Sequence, residues 1–403
     1  MPRNSPQPPP SATINRAEAT WRNTTARPGR GLLTAHQMPV PHITSPDDPA
    51  LKQLCGRLKK LSGELDQSGK WPVEQLRLCG EYGVFEWFLD PAWGGQAWTD
   101  EQVVRGYLEL SAACLTTTFI LTQRTGACRR IEGCPNEPLK SHTLPQLARG
   151  ETFATVGISH LTTSRRHLQN PVLTAERTSV GYRLDGYSPW VTGGQAADLI
   201  VVGATVTKDA HPSGEQILVA LPTGLSGVTV QPPANLVGLT ASHTGSVQLQ
   251  AVKVADEQLI AGPVENVMAS GLGAGTGGHE TSTLAMGLAR AAIDYLDSEA
   301  ARRADLKIPL EAFRSEHHLM TDDLLALANG QEVCTKESLR QRANSLALRA
   351  SQAALTAAKG TGYVVGHPAG RWCREALFFL VWSCPQPVAS ANLCELAGID
   401  YLP

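Results

Sequence analysis

The sequence predicts an α+β fold: an N-terminal helical domain, a middle antiparallel β-domain and a C-terminal helical domain, in that order. Three observations predict it. Leu51, Leu54, Leu58 and Leu61 recur at three- and four-residue steps, one apolar face of an amphipathic helix. Between Phe153 and Val252, short segments rich in β-branched residues alternate with Gly, Pro, Asn or Asp. From Glu280 the helical period returns, with Leu284, Leu288, Ala291, Ala292 and Tyr295 on one face. Helices and strands that are segregated along the chain suggest segregated layers. The boundaries read as a disordered tail over 1–44, a helical domain over 45–150, a β-domain over 151–262 and a helical domain over 263–403.

Composition narrows the function. The 403 residues carry 35 Lys plus Arg against 37 Asp plus Glu, a net charge of −2. No long-range basic field exists to hold nucleic acid or an anionic membrane. No apolar run approaches the roughly 20 residues of a membrane helix. The 9 cysteines are scattered and form no C-x-x-C pair. That usage reads as reduced thiols in a cytoplasmic protein, with neither a disulfide frame nor a zinc site. The first 44 residues include the Pro-rich run Pro6 to Pro10 and too few periodic apolar residues to bury a face.

The elements follow in order. Pro72 opens a second helix through Val73, Leu76 and Leu78 that stops near Gly80. Trp93-Gly94-Gly95 marks a turn. Glu101 to Cys128 reads as one long apolar helical region, and Pro135 to Pro138 separates it from a helix ending at Gly150. Strands are expected at Phe153–Ile158, Val172–Ala175, Tyr182–Leu184, Leu199–Thr205, Gln216–Ala220, Gly227–Val230 and Val247–Val252. Such spacing suggests an antiparallel sandwich or barrel. Further helices are expected at Leu319–Leu327 and Leu339–Ala358. After a break at Gly360–Pro368 comes a last segment, Arg371–Leu396.

Local motifs then accumulate in a fixed order. Trp93-Gly94-Gly95 is followed by Leu144-Pro145 with Gly150-Glu151. Gly157-Ile158-Ser159 precedes Ser164, and Gly186 precedes Trp190-Val191-Thr192 and Ala197-Asp198. Gly238-Leu239 with Ser242 and Thr244 comes next, then Gly287 to Arg290. Last are Gly360-Thr361-Gly362-Tyr363, Pro368 and Arg374-Glu375. From about Asp47 to Gly398 this series resembles the acyl-CoA dehydrogenase family of flavoproteins. The resemblance implies an N-terminal helical domain, a middle β-domain and a C-terminal four-helix bundle, in homodimers or homotetramers. It implies FAD between the β-domain and the bundle. Trp190 would wall the flavin ring, and Thr192 and Ser159, beside Gly157, would bring a hydroxyl and a backbone N–H to its polar edge. Ser164 would meet the pyrophosphate. Arg303 matches the Arg that reaches a neighbouring subunit's FAD, although Asp305, Leu306 and Lys307 depart from that motif. Gly360 and Gly362 match a glycine pattern that lets backbone approach the cofactor, with Lys359 replacing one of its glycines.

The family's α-proton abstraction needs a carboxylate in a dry apolar pocket. Ser383 occupies the position of that Glu, nine residues after Arg374. His279 and Glu280 are the only ionisable residues between Gly271 and Gly287, so Glu280 is the candidate for a displaced base; the bland reading is a Glu favoured by a helix N-terminus. His160 replaces a family Glu and reads as a solvated loop residue. Cys384 reads as an inert thiol and His317-His318 as a poor metal pair. The glycines of Gly271–Gly278 lack the G-K-[ST] of a phosphate loop. The expectation is an FAD-dependent oxidoreductase acting on the CH–CH group of an acyl thioester such as acyl-CoA, or a related small molecule. The alternatives are a flavin-dependent monooxygenase of the same fold and a non-catalytic flavin-binding scaffold.

Overall fold

A computed structural model describes residues 41–162, 171–209, 211–271 and 279–399. Asp48 caps the first helix, α1 (Pro49–Ser68): its side chain accepts the Ala50 N–H at 2.9 Å, Pro49 takes the first turn, and Gly69 ends the helix at φ 60°. α2 (Val73–Glu81) follows. The region expected as one long helix is two, α3 (Asp100–Ala113) and α4 (Leu115–Glu132). They are broken at Cys114, whose backbone is extended at φ −157° and ψ 99°. Thr99 and Gln102 close a reciprocal cap at the start of α3. α5 (Glu137–Ala148) completes this helical part.

The middle part is one sheet with two parallel pairings inside an otherwise antiparallel arrangement. Its strands are β1 (Ala154–Gly157), β2 (Leu173–Arg177), β3 (Gly181–Val191), β4 (Leu199–Lys208), β5 (His211–Pro222), β6 (Val228–Val230), β7 (Gly245–Ala255) and β8 (Leu259–Val264). The order is β6-β7-β3-β2-β4-β5-β8. β1 and β2 share one edge of β4, both parallel to it: β1 covers 199–202 and β2 covers 205–207. A short helix, α6 (Ser159–Thr162), leaves the end of β1. The expected strands are all present, and β8 is additional.

The C-terminal part comprises α7 (His279–Ala300), α8 (Lys307–Ala328), α9 (Lys336–Gly362), α10 (Pro368–Leu377) and α11 (Gln386–Ala397). α9 breaks at Lys359, which takes φ 55° and ψ −147°. Two cores organise the fold. Ala127, Cys128 and Ile131 of α4 meet Ala154, Val156 and Val201 of the sheet. Leu284, Leu288 and Ala292 of α7 meet Leu346 and Ala350 of α9 and reach Leu108 of α3. Both cores include apolar residues of the N-terminal helices, which therefore touch sheet and bundle at once. No helix among the described residues is long and apolar enough to cross a membrane.

Candidate active site

A cavity of about 560 Å³ opens where α4, the sheet, the start of α7 and the loop after α10 converge. The volume suits a drug-sized or cofactor-sized ligand. One wall is sheet-borne. Trp190 and Thr192 come from the end of β3 and the residue after it, and Ser159 lies just beyond β1. Trp190 is 49% exposed and presents a large indole at the cavity. Ser159 Oγ is buried without a hydrogen-bond partner. A buried orphan hydroxyl facing a cavity is costly unless something there accepts or donates. Thr192 is buried, and its Oγ1 lies 3.0 Å from Thr244 Oγ1.

The opposite wall is helical and aromatic. Phe119 of α4 stands edge-on to Phe378 and Trp382, with centroids 4.8 and 4.9 Å away. Phe378 and Trp382 stack at 5.0 Å and 13°. The Leu236–Gly238 loop closes the side against α10: a Cβ on Gly238 would lie 3.2 Å from the Arg374 carbonyl. Arg374 also lines the cavity and is held by Asp66, with Nη2 donating to Oδ2 at 2.6 Å.

Glu280 and Ser383 both line this cavity. Ser383 has no carboxylate and sits at φ 45°, a left-handed backbone unusual for serine. Glu280 starts α7, and its Oε1 is 3.5 Å from Arg129 Nη1. Arg129 in turn donates to Asp100 Oδ1 at 2.8 Å. Arg130, also at the wall, is 3% exposed; burial pulls its guanidinium down to about 10, opposed by Glu280. Among the described residues Glu280 is the one carboxylate on this wall, and it is tied to a guanidinium rather than isolated in a dry apolar niche.

Other residues singled out from the sequence fall elsewhere. Gly157 packs inside the sheet, where a Cβ would meet Ser188 Oγ at 2.9 Å and Val202 at 3.2 Å. Arg303 donates to the Ala357 carbonyl at 2.8 Å and to Asp305 Oδ2 at 2.9 Å, away from the cavity lining. Gly360 and Gly362, at the end of α9, lie near Ala357 in the chain and likewise do not line it. Ser164 and residues 272–278 lie outside the described residues. His160 is not a solvated loop residue: it is buried, its Nε2 donates to the Gly203 carbonyl at 2.8 Å, and burial lowers its pKa. It points into the sheet because α6 folds back over β4. The sequence reading missed Arg130, Phe119 and the Phe378–Trp382 pair. The available signal was three arginines, Arg124, Arg129 and Arg130, in a segment that otherwise reads as a core helix.

Comparison with known proteins agrees with this architecture. A family model described as acyl-CoA dehydrogenase, N-terminal domain, matches residues 52–151. A Bacillus subtilis protein named probable acyl-CoA dehydrogenase YngJ is 23% identical over 331 residues, 77% of this chain and 86% of its own length. Dibenzothiophene monooxygenase of Rhodococcus erythropolis is 25% identical over 177 residues, covering 44% of this chain and 41% of its own. A Mycobacterium smegmatis glutaryl-CoA dehydrogenase solved with FADH2 superposes with a TM-score of 0.72 at 16% identity, over 89% of this chain and 97% of its own. Domain order, motif order and these likenesses agree: residues 52–151 match the acyl-CoA dehydrogenase N-terminal domain, and the chain as a whole is similar to proteins of that family.

Proposed function

We propose that the chain is an FAD-dependent oxidoreductase and that the cavity between sheet and helices is its active site. The observation that supports this most is the sheet-borne wall. A half-exposed indole, an orphan hydroxyl at Ser159 and a buried hydroxyl at Thr192 meet on one cavity, the set a planar heteroaromatic ring needs. A flavin bound there supplies a hydride acceptor or, when reduced, a reductant of oxygen. Of the chain's own residues, Trp190 would hold the ring's face, and Thr192 and Ser159 would meet its polar edge.

The substrate of the first reading is an acyl thioester that loses hydrogen across a CH–CH group. In that reading Glu280 takes the α-proton, since Ser383 lacks a carboxylate. The second reading, a flavin-dependent monooxygenase, needs no carboxylate base. It is favoured by Ser383 and by the tie between Glu280 and Arg129. Homo-oligomerisation belongs to the same proposal. Tyr363 and Val365, beside Gly362, are 86% and 89% exposed, an apolar surface suited to a second copy carrying its own FAD near Arg303, Gly360 and Gly362.

The test is optical. Purified protein should show flavin bands near roughly 370 and 450 nm; their absence, also after incubation with FAD, refutes the cofactor. Anaerobic octanoyl-CoA should bleach the long-wavelength band if the first reading holds. Glu280→Gln should then slow bleaching about 10²–10⁴-fold with the flavin still bound. If the parent is not bleached and Ser383→Glu gains bleaching, the pocket accepts the thioester and lacks only a base.

A further inference from the structure

Three side-chain hydroxyls run in a line behind the cavity wall. Ser242 Oγ lies 2.8 Å from Thr244 Oγ1, and Thr244 Oγ1 lies 3.0 Å from Thr192 Oγ1. Ser242 is completely buried, while Thr192 and Thr244 are 4% and 8% exposed and line the cavity. Three hydroxyls carry three protons, and two links consume two of them. With Thr244 accepting from one neighbour and donating to the other, the arrangement in which the two links reinforce each other, the third is left at one end of the chain. At the Ser242 end, Oγ has no hydrogen-bond partner other than Thr244 among the described residues. A proton left there would be buried and unsatisfied, at a cost of about 1–3 kcal/mol. The chain therefore runs from Ser242 to Thr244 to Thr192, each donating to the next. The Thr192 hydroxyl is left with its proton for whatever fills the cavity.

We infer that Thr244 and Ser242 are positioning residues that hold the Thr192 hydroxyl as a hydrogen-bond donor to the bound flavin. This rests on the flavin reading above. The polar edge of an oxidised flavin presents ring nitrogens that accept, and reduction turns one of them into a donor. A hydroxyl fixed as donor serves the first state and opposes the second. The chain thus favours oxidised flavin and holds the reduction potential down. Neighbouring hydroxyls strengthen one another in series, so the effect belongs to the chain rather than to Thr192 alone.

The experiment is a dye-coupled midpoint potential on flavin-loaded parent, Thr244→Val, Thr192→Val and Thr244→Ser proteins. Val fills the space of Thr but cannot donate, which frees Thr192 to accept as readily as it donates. The preference for oxidised over reduced flavin should fall about threefold to tenfold in Thr244→Val, a rise of about 15–30 mV. Thr192→Val should shift the same way, and adding Thr244→Val to it should add nothing. Thr244→Ser keeps the hydroxyl and should keep the parental potential. Ser242→Ala provides a second route should Thr244→Val fold poorly, with a smaller rise expected. A parental potential in both Thr244→Val and Ser242→Ala, with Thr192→Val shifted, overturns the chain and reduces Thr244 to packing. An unshifted Thr192→Val shows that the hydroxyl does not face the flavin. A parent without flavin bands removes the cofactor proposal itself, and with it this inference; flavin-loaded proteins with flat potentials remove only this inference.

Discussion

Trp190 is half exposed at the cavity, so its indole contributes little to the fold and much to whatever stacks on it. Trp190→Ala should leave Tm nearly unchanged and weaken flavin retention about tenfold or more, read as flavin lost on dilution and gel filtration. Glu375 behaves differently. It is buried in α10, with Arg371 Nε at 3.5 Å and with Asp66 and Arg374 around it. Burial pushes its carboxyl up to about 7, with Asp66 raising it further and the two arginines opposing. A carboxyl raised on folding binds its proton more tightly in the native state. Its contribution is therefore full below about pH 4.5 and is lost as pH climbs towards 7. Glu375→Gln should flatten the fall of Tm between pH 5 and pH 8, a difference on the order of 2 kcal/mol. An unchanged slope would mean that other groups set it. At this scale the sequence spoke unevenly. Trp190, Thr192 and Ser159 were legible because their motifs are local. Arg130 and His160 were not, because their surroundings come from strands and helices far along the chain.

Between elements, α3 packs closely against α7. A Cβ on Gly287 would lie 2.5 Å from Ser111 Cβ and 2.9 Å from the Leu108 carbonyl oxygen, and Ser111 Oγ donates to the Leu284 carbonyl at 2.8 Å. Gly287→Ala should cost about 1–3 kcal/mol, measured by denaturant midpoint, because backbone must move to admit one methyl. The helices α1 and α9 were readable since each buries one stripe, and α7, although buried on all sides from Thr281 to Ala289, still carries an apolar period. The break between α3 and α4 was not, because Cys114 carries no Gly or Pro signal; there the chain turns so that α4 can face the sheet while α3 faces the bundle. β8 was passed over because Gly262-Pro263 reads as punctuation, yet Leu259–Val264 sits at the sheet edge beside β5, where a proline is tolerated.

For the whole molecule, residues 1–40 lack a periodic apolar face. Removing them should leave Tm and flavin content as in the full chain; a loss above about 5 °C, on the order of 1 kcal/mol or more, would show that the segment docks. The helix–strand–helix order was visible from texture alone, since periods of 3.6 and 2 are set by which faces are buried. The parallel pairing of β1 and β2 along one edge of β4 was invisible, because register between distant strands leaves no local trace. That pairing has a practical consequence. β1 follows α5 in the chain but is sewn into the sheet beside β4, and Phe153 N donates to Asp198 Oδ2 at 3.0 Å at the same junction. A crossover placed between β1 and β4, near residue 180, in a chimera with a related protein would pair a native β4 edge with a foreign β1 and tear the junction. Exchanged beyond residue 270 instead, the helical segment and the sheet would travel together as one cassette.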